Sequence, residues 1–359
     1  MLELNVGCSF DMNLIPSIAA LNNAYKSNGI QVKELYGSLP GHVYNLPTAR
    51  PDFRIPQITT EQMRDFIERC HDSGFRFNYT LNSPLTQDWF NKTEEDMSFI
   101  MDTLFKLGID NEKGDLVTVS HMIPLSFLYK HFDISISTIM EIQDINAIQM
   151  YIKKFDVKKI CLSLNKNRDF RFLREAHRLG LNTSLELLSN EFCIVGDVMC
   201  QNVYRKSCYE LHALGGNKEN KFHGYPMKLC SASRFADPAS WLRARAVFPW
   251  DTIRYFEEVG INQFKISGRT LPMEFILKTI EAYLSLGEKM DDNMLNLWGH
   301  VDKVGTDDLM KVTTPLHISA EKLKSLSFLD YFINGNFNRQ DRSCEDCRYC
   351  DNVLNIVRA

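Results

Sequence analysis

The stretch TTEQMRDFIERCHDSGFRFNYTL, residues 59–81, holds the unit from which this chain is built. Thr59 and Gln62 make a capping box, and Met63, Phe66, Ile67 and Cys70 fall on one helical face. Gly74 stands where a helix-ending glycine belongs. Phe75 to Leu81 then alternates with the period of a half-buried strand. A helix therefore feeds directly into a strand.

The unit recurs on both sides. Thr93 opens a helix carrying Met97, Ile100, Met101, Leu104 and Leu107, stopped by Gly108, and a strand follows at Leu116 to Val119. Further strands are expected at Leu2 to Val6, Ile30 to Tyr36, Ile134 to Ile139, Lys159 to Leu164, Leu181 to Leu187 and Gln263 to Ser267. Helices are expected at Ile145 to Phe155, Phe170 to Leu179, Thr252 to Val259 and Pro272 to Leu286. Strand–helix alternation implies parallel pairing. Eight units over roughly 250–300 residues fit a TIM-like (β/α)8 barrel. A doubly wound sheet is the alternative, but no GxGxxG or P-loop follows any strand. The expected organisation is a barrel over 1–300 with a cysteine-bearing insertion at 188–250, then an extension over 301–359.

The 359 residues are 44% apolar and carry Lys+Arg 41 against Asp+Glu 45, a net charge of -4. That composition supports a full core and excludes a disordered or fibrous chain. It also argues against a generally basic nucleic-acid carrier. No run of about 18 apolar residues suggests a membrane span, and the start lacks a signal-peptide pattern. A cytoplasmic location is expected.

Ten cysteines are the unusual number. In a reducing compartment, clustered cysteines more often bind metal or do redox chemistry than form disulfides. The central group reads Cys193-x6-Cys200-x7-Cys208-x21-Cys230. Four thiolates at uneven spacing on loops suit a cubane iron–sulfur cluster, whereas structural zinc favours tight CxxC pairs. Buried free cysteines are the plain alternative. The tail reads Cys344-x2-Cys347-x2-Cys350, three convergent ligands for a second cluster or for zinc, or a structural clip. The fourth ligand would be Cys8, a substrate or a water. The CxxxCxxC spacing of radical-SAM enzymes is absent.

In a barrel, chemistry sits at the C-terminal strand ends. That rule selects Lys265, Arg269, Glu186 and His121 as candidate catalytic groups. Lys265 and Arg269 suit a carboxylate or phosphate, or else salt bridges to neighbouring strand ends. His121 is a proton donor or a hydrogen-bonded rim residue. Cys70 and Cys161 read as packing.

The run Glu191-Phe192-Cys193-Ile194-Val195-Gly196-Asp197-Val198-Met199-Cys200 resembles the signature of the peptidase U32 family. Phe264-Lys265-Ile266-Ser267-Gly268-Arg269 resembles that family's Lys-Ile-Glu-Gly-Arg. The likeness covers about residues 180–285. It implies a TIM-type barrel and a four-iron–four-sulfur (4Fe-4S) cluster on Cys193, Cys200, Cys208 and Cys230. It also implies oxygen-independent hydroxylation of an RNA, a quinone precursor or a peptide. Three departures stand out: Val195 replaces a histidine, Arg205-Lys206-Ser207-Cys208 replaces Ser-Gly-Arg-Cys, and Ser267 replaces a glutamate. Two rival readings follow. One is a peptidase or peptide-modifying enzyme, for which no Ser-His-Asp, Cys-His or HExxH arrangement is legible. The other is a non-catalytic, metal-stabilised subunit paired with a paralogue in a heterodimer.

Overall fold

The computed structural model describes residues 1–193, 202–214, 236–269, 271–298, 317–335 and 344–358. Eight parallel strands close into a barrel in chain order. They are β1 (Leu2–Gly7), β2 (Ile30–Gly37), β3 (Arg76–Leu81), β4 (Leu116–Val119), β5 (Ile134–Ile136), β6 (Lys159–Cys161), β7 (Ser184–Leu188) and β8 (Gln263–Ile266). β8 pairs with both β7 and β1, and that pairing closes the ring. No helix among the described residues is long and apolar enough to cross a membrane.

The quoted unit forms as its sequence dictates. Thr59 accepts the Gln62 amide, Gln62 reaches back to the Thr59 amide, and the helix Thr60–Asp72 buries Met63, Phe66, Ile67 and Cys70. Gly74 takes φ +77° at its end, a left-handed value that costs glycine little. Outward-facing strand residues such as Phe77, Val117, Ile160 and Phe264 meet these helical faces and bury completely. Each fully buried side chain of this size contributes roughly 1.5–3 kcal/mol.

Several elements depart from expectation, β6 among them, which stops at Cys161 rather than Leu164 where Ser163 caps a 3-10 turn. The expected helix over Thr252 to Val259 is a 3-10 turn at Pro249–Asp251, a widened π turn at Thr252–Phe256 and a 3-10 turn at Glu257–Val259. Side-chain anchors explain the irregularity. Phe256 packs on Phe170 at 5.2 Å and on Phe264 at 5.7 Å, while the Tyr255 hydroxyl donates to Asp330 at 2.5 Å. β5 ends at Ile136 because Ser137 caps a 3-10 turn over Thr138–Met140.

The extension packs onto the barrel's own core. Ile318, Leu323, Phe328, Val353, Leu354 and Val357 bury within the same apolar cluster as the barrel helices. At this contact Arg168 is buried, donates to the carbonyls of Leu242 and Ala246, and faces the rings of Phe328, Phe248 and Phe332 at 4.9–5.7 Å.

Candidate active site

TIM-type lumens are usually filled by branched apolar side chains. This one is filled by charge. Asn5 on β1 donates to Glu186 on β7 at 2.5 Å and to Gln263 on β8 at 3.0 Å. Lys159 on β6 crosses the barrel to pair with Glu34 on β2, and lies 3.6 Å from Glu186. Lys265 lies 3.6 Å from the other Glu186 oxygen and 4.2 Å from the centre of the Tyr36 ring. Arg76 pairs with Glu3 at 2.5 Å and Glu34 at 4.0 Å. Contacts between strands that are not neighbours can only run through the lumen. Its three carboxylates, Glu3, Glu34 and Glu186, are matched by Arg76, Lys159 and Lys265.

This network decides what Glu186 and Lys265 are. Both lie within the lumen, below the rim where strand-end chemistry was expected. Burial favours the neutral form of Glu186, but Lys265 and Lys159, with hydrogen bonds from Asn5 and Cys161, more than offset it. Its carboxyl is held below the ordinary range and is ionised. Burial likewise lowers the Lys265 pKa, but Glu186 together with Tyr36, Cys161 and Glu34 outweighs it, so the ammonium is held charged.

Arg269 differs. Gly268, at φ +126°, turns the chain after β8, and Asn190 clamps that turn by accepting the Ser267 amide at 2.7 Å. A Cβ on Gly7 would stand 2.7 Å from Arg269 Cβ, so only glycine admits this approach. The guanidinium donates to Ser38 (3.4 Å), Thr48 (3.0 Å) and Thr80, all neutral hydroxyls. Burial first, then the charge of Arg50, pulls its pKa down to about 10, which leaves it a cation at neutral pH.

A second group gathers at the mouth ends of β5 and β6. The helix Asn202–Leu214 inserts Arg205, 1% exposed, which pairs with Glu141 at 2.6 Å and donates to Ser163 and Asn165 at 3.2 Å each. Ser163 also donates to Glu141 at 2.6 Å. Cys193 packs against Cys161, Leu164 and Leu188. Burial lowers the Arg205 pKa, but Glu141 first, then Cys193 and Tyr209, together more than offset it. Cys208 follows Arg205 by three residues on the same helix, which sets both on one side. A cation beside a thiol favours the thiolate, the form that binds metal. Cys193 and Cys208 thus fit the donor chemistry of an iron–sulfur site. Cys200 and Cys230 lie outside the described residues. Among the described residues no three His, Cys, Asp or Glu side chains converge as ligands.

The remaining expected groups lie elsewhere. Cys8 is buried in the barrel wall with its Sγ donating to the Tyr36 carbonyl at 3.3 Å, and burial pushes its thiol up to about 12. Cys347 and Cys350 sit on the extension: the Cys347 Sγ is 3.2 Å from the Tyr331 hydroxyl, and Cys350 acts electrostatically on Arg168. Cys344 opens a short helix, Cys344–Cys347, whose side-chain placement there lies outside the described residues. His121 uses Nδ1 to accept the Ile123 amide at 3.2 Å and faces Trp89 at 6.5 Å.

Sequence reasoning did not select Glu34, Lys159, Arg50 or Arg205 as site residues. The first two each follow another charged residue, Lys33 before Glu34 and Lys158 before Lys159, so no local pattern set them apart as lumen positions.

The sequence profile of peptidase family U32 matches residues 44–314. Among solved structures the chain is similar to the U32 peptidase Mk0906, at 10% identity over 76% of this chain and 94% of that one, with a TM-score of 0.45. It is also similar to dispersin B, at 12% identity over 80% and 98%, with a TM-score of 0.33. No curated protein matches it. With the profile spanning most of the barrel, the chain belongs to peptidase family U32.

Proposed function

We propose that this protein is an iron–sulfur enzyme that hydroxylates an anionic substrate without dioxygen, or modifies it by related redox chemistry. The substrate is an RNA, a quinone precursor or a peptide. The observation that carries the reading is that Cys193, packed on Cys161, Leu164 and Leu188, and the buried Arg205–Glu141 pair both stand at the barrel mouth, whose rim also holds Arg269. Cys193, Cys200, Cys208 and Cys230 would hold the cluster. When bound, it supplies one-electron transfer that no side chain offers.

Replacing C–H by C–OH takes two electrons from the substrate and adds one oxygen atom. A donor that surrenders oxygen and accepts those two electrons must therefore bind alongside. This chain's own residues supply position and charge. Arg205 stabilises negative charge near Cys193. Arg269 holds an anionic group. The locked Glu186–Lys265 pair keeps the floor of the site rigid.

The test is iron and sulfide content with visible absorbance after anaerobic purification. About four irons per cluster are expected, lost in Cys193→Ala and Cys208→Ala. Colourless, iron-free protein after anaerobic reconstitution overturns the reading. So does peptide hydrolysis that survives replacement of the four central cysteines.

A further inference from the structure

We infer that Arg50 and Arg269 form an oxyanion-binding subsite at the barrel mouth, taking a carboxylate or phosphate group of the substrate or of its oxygen donor. The charges of the lumen set the stage. Its three carboxylates are already matched by Arg76, Lys159 and Lys265. Arg205 has Glu141. Arg269 and Arg50 have no carboxylate within 4 Å among the described residues. Among the described residues Arg269 donates only to the hydroxyls of Ser38, Thr48 and Thr80, and Arg50 only to the carbonyl of Ala49 at 3.1 Å. The Arg50 charge adds to burial in depressing the Arg269 pKa.

Two part-buried guanidinium groups in mutual repulsion, with only neutral acceptors, are an unfavourable arrangement for the empty protein. An oxyanion received by both relieves it. A forked guanidinium matches the two oxygens of a carboxylate or phosphate. Thr48 links the two: it accepts from Arg269, and with Arg50 it lines a cavity of about 270 Å³. The carboxylates on that cavity's wall share it with two cations, Arg50 and Lys92, and each is held by hydrogen bonds. Asp52 accepts the His42 and Val43 amides, Asp88 accepts from Ser83, and Asp96 accepts from Asn45 and the Thr93 amide. The backbone at Gly7 and Gly268 is shaped to deliver Arg269 to this place.

The inference deepens the proposed function, yet its test needs neither iron nor turnover, so the two fail separately. The full-length protein is titrated by calorimetry with inorganic phosphate and, separately, with succinate, at constant ionic strength. Saturable binding of either probe is expected, weakened about tenfold or more in Arg50→Gln and in Arg269→Gln. Arg254→Gln, an exposed arginine by Tyr255, should bind as wild type. Binding confined to phosphate assigns a phosphate-bearing ligand, and binding confined to succinate a carboxylate. No saturable heat with either probe overturns the inference. So does an unchanged Kd in Arg50→Gln, a loop variant that leaves the hydroxyl contacts of Arg269 intact.

Discussion

Replacing Lys159 by methionine removes one of three cations from a lumen that holds three carboxylates. Lys159 is 2% exposed, and its partners Glu34 and Glu186 are 0% exposed. Breaking a buried pair by deleting one partner costs about 3–5 kcal/mol, because the survivor keeps its desolvation penalty without its counter-charge. At about 2.1 cal/mol/K of unfolding entropy per residue, a chain of this length loses roughly 4–7 °C in Tm. The loss must depend on pH. In the wild type the Glu186 pKa is depressed. Its stabilising contribution is therefore present above the unfolded carboxyl pKa and is lost only as pH falls through the lower folded value. Without Lys159, one of the two cations holding that pKa down is gone, and the pKa rises. Protonation then relieves the variant as pH falls from 7.5 to 5. Calorimetric melting at both values should show the larger deficit at pH 7.5. Adding Glu34→Gln to Lys159→Met restores the charge balance and should recover about half of the loss. An equal deficit at both pH values, or a double variant no better than the sum of its singles, would refute the reasoning.

Other outcomes follow from single positions. Gly260 sits at φ +74° with its missing Cβ 2.0 Å from His177 Nδ1, while Gly74, at φ +77°, has nothing within 4 Å. Gly74→Ala should cost about 1 kcal/mol of backbone strain and Gly260→Ala clearly more, compared by urea denaturation. Burial raises the carboxyl of Asp251 to about 8, with Arg168 and Arg254 only partly opposing it. The folded state thus holds a proton that the unfolded state releases, and stability falls as pH rises from about 4 to 8. Asp251→Asn should therefore gain Tm relative to wild type across that range and level off above it. For the tail, a Cys344/Cys347/Cys350→Ser triple variant should lose about half of the bound iron if it carries a second cluster, or its zinc if it carries zinc, by elemental analysis. Unchanged metal content leaves the segment a packing element.

The barrel was legible because its signals are local. Capping residues, C-terminal glycines and apolar faces are set within a dozen residues, as Thr59 to Leu81 shows. The widened turn at Thr252–Phe256 was not legible, because its irregularity comes from Phe170, Phe264 and Asp330, remote in the chain. The site divided the same way. Cys193 and Cys208 were visible as a spacing, and Arg269 as the end of a motif. Arg205 appeared only as a departure from the family's Ser-Gly-Arg-Cys, although it brings the inserted helix against Glu141.

Sequence alone therefore determined the period of the elements, the order of the strands, the family and the cysteines worth testing. These follow from local propensity and residue identity. Only the tertiary structure decided how the charges were allotted. Closing eight strands brought Glu34, Lys159, Glu186 and Lys265 into one low-dielectric lumen, where each must be compensated. The same closure left Arg269 and Arg50 at the rim without a carboxylate among the described residues. A pairing between residues more than a hundred positions apart depends on barrel closure and register, which no local segment encodes.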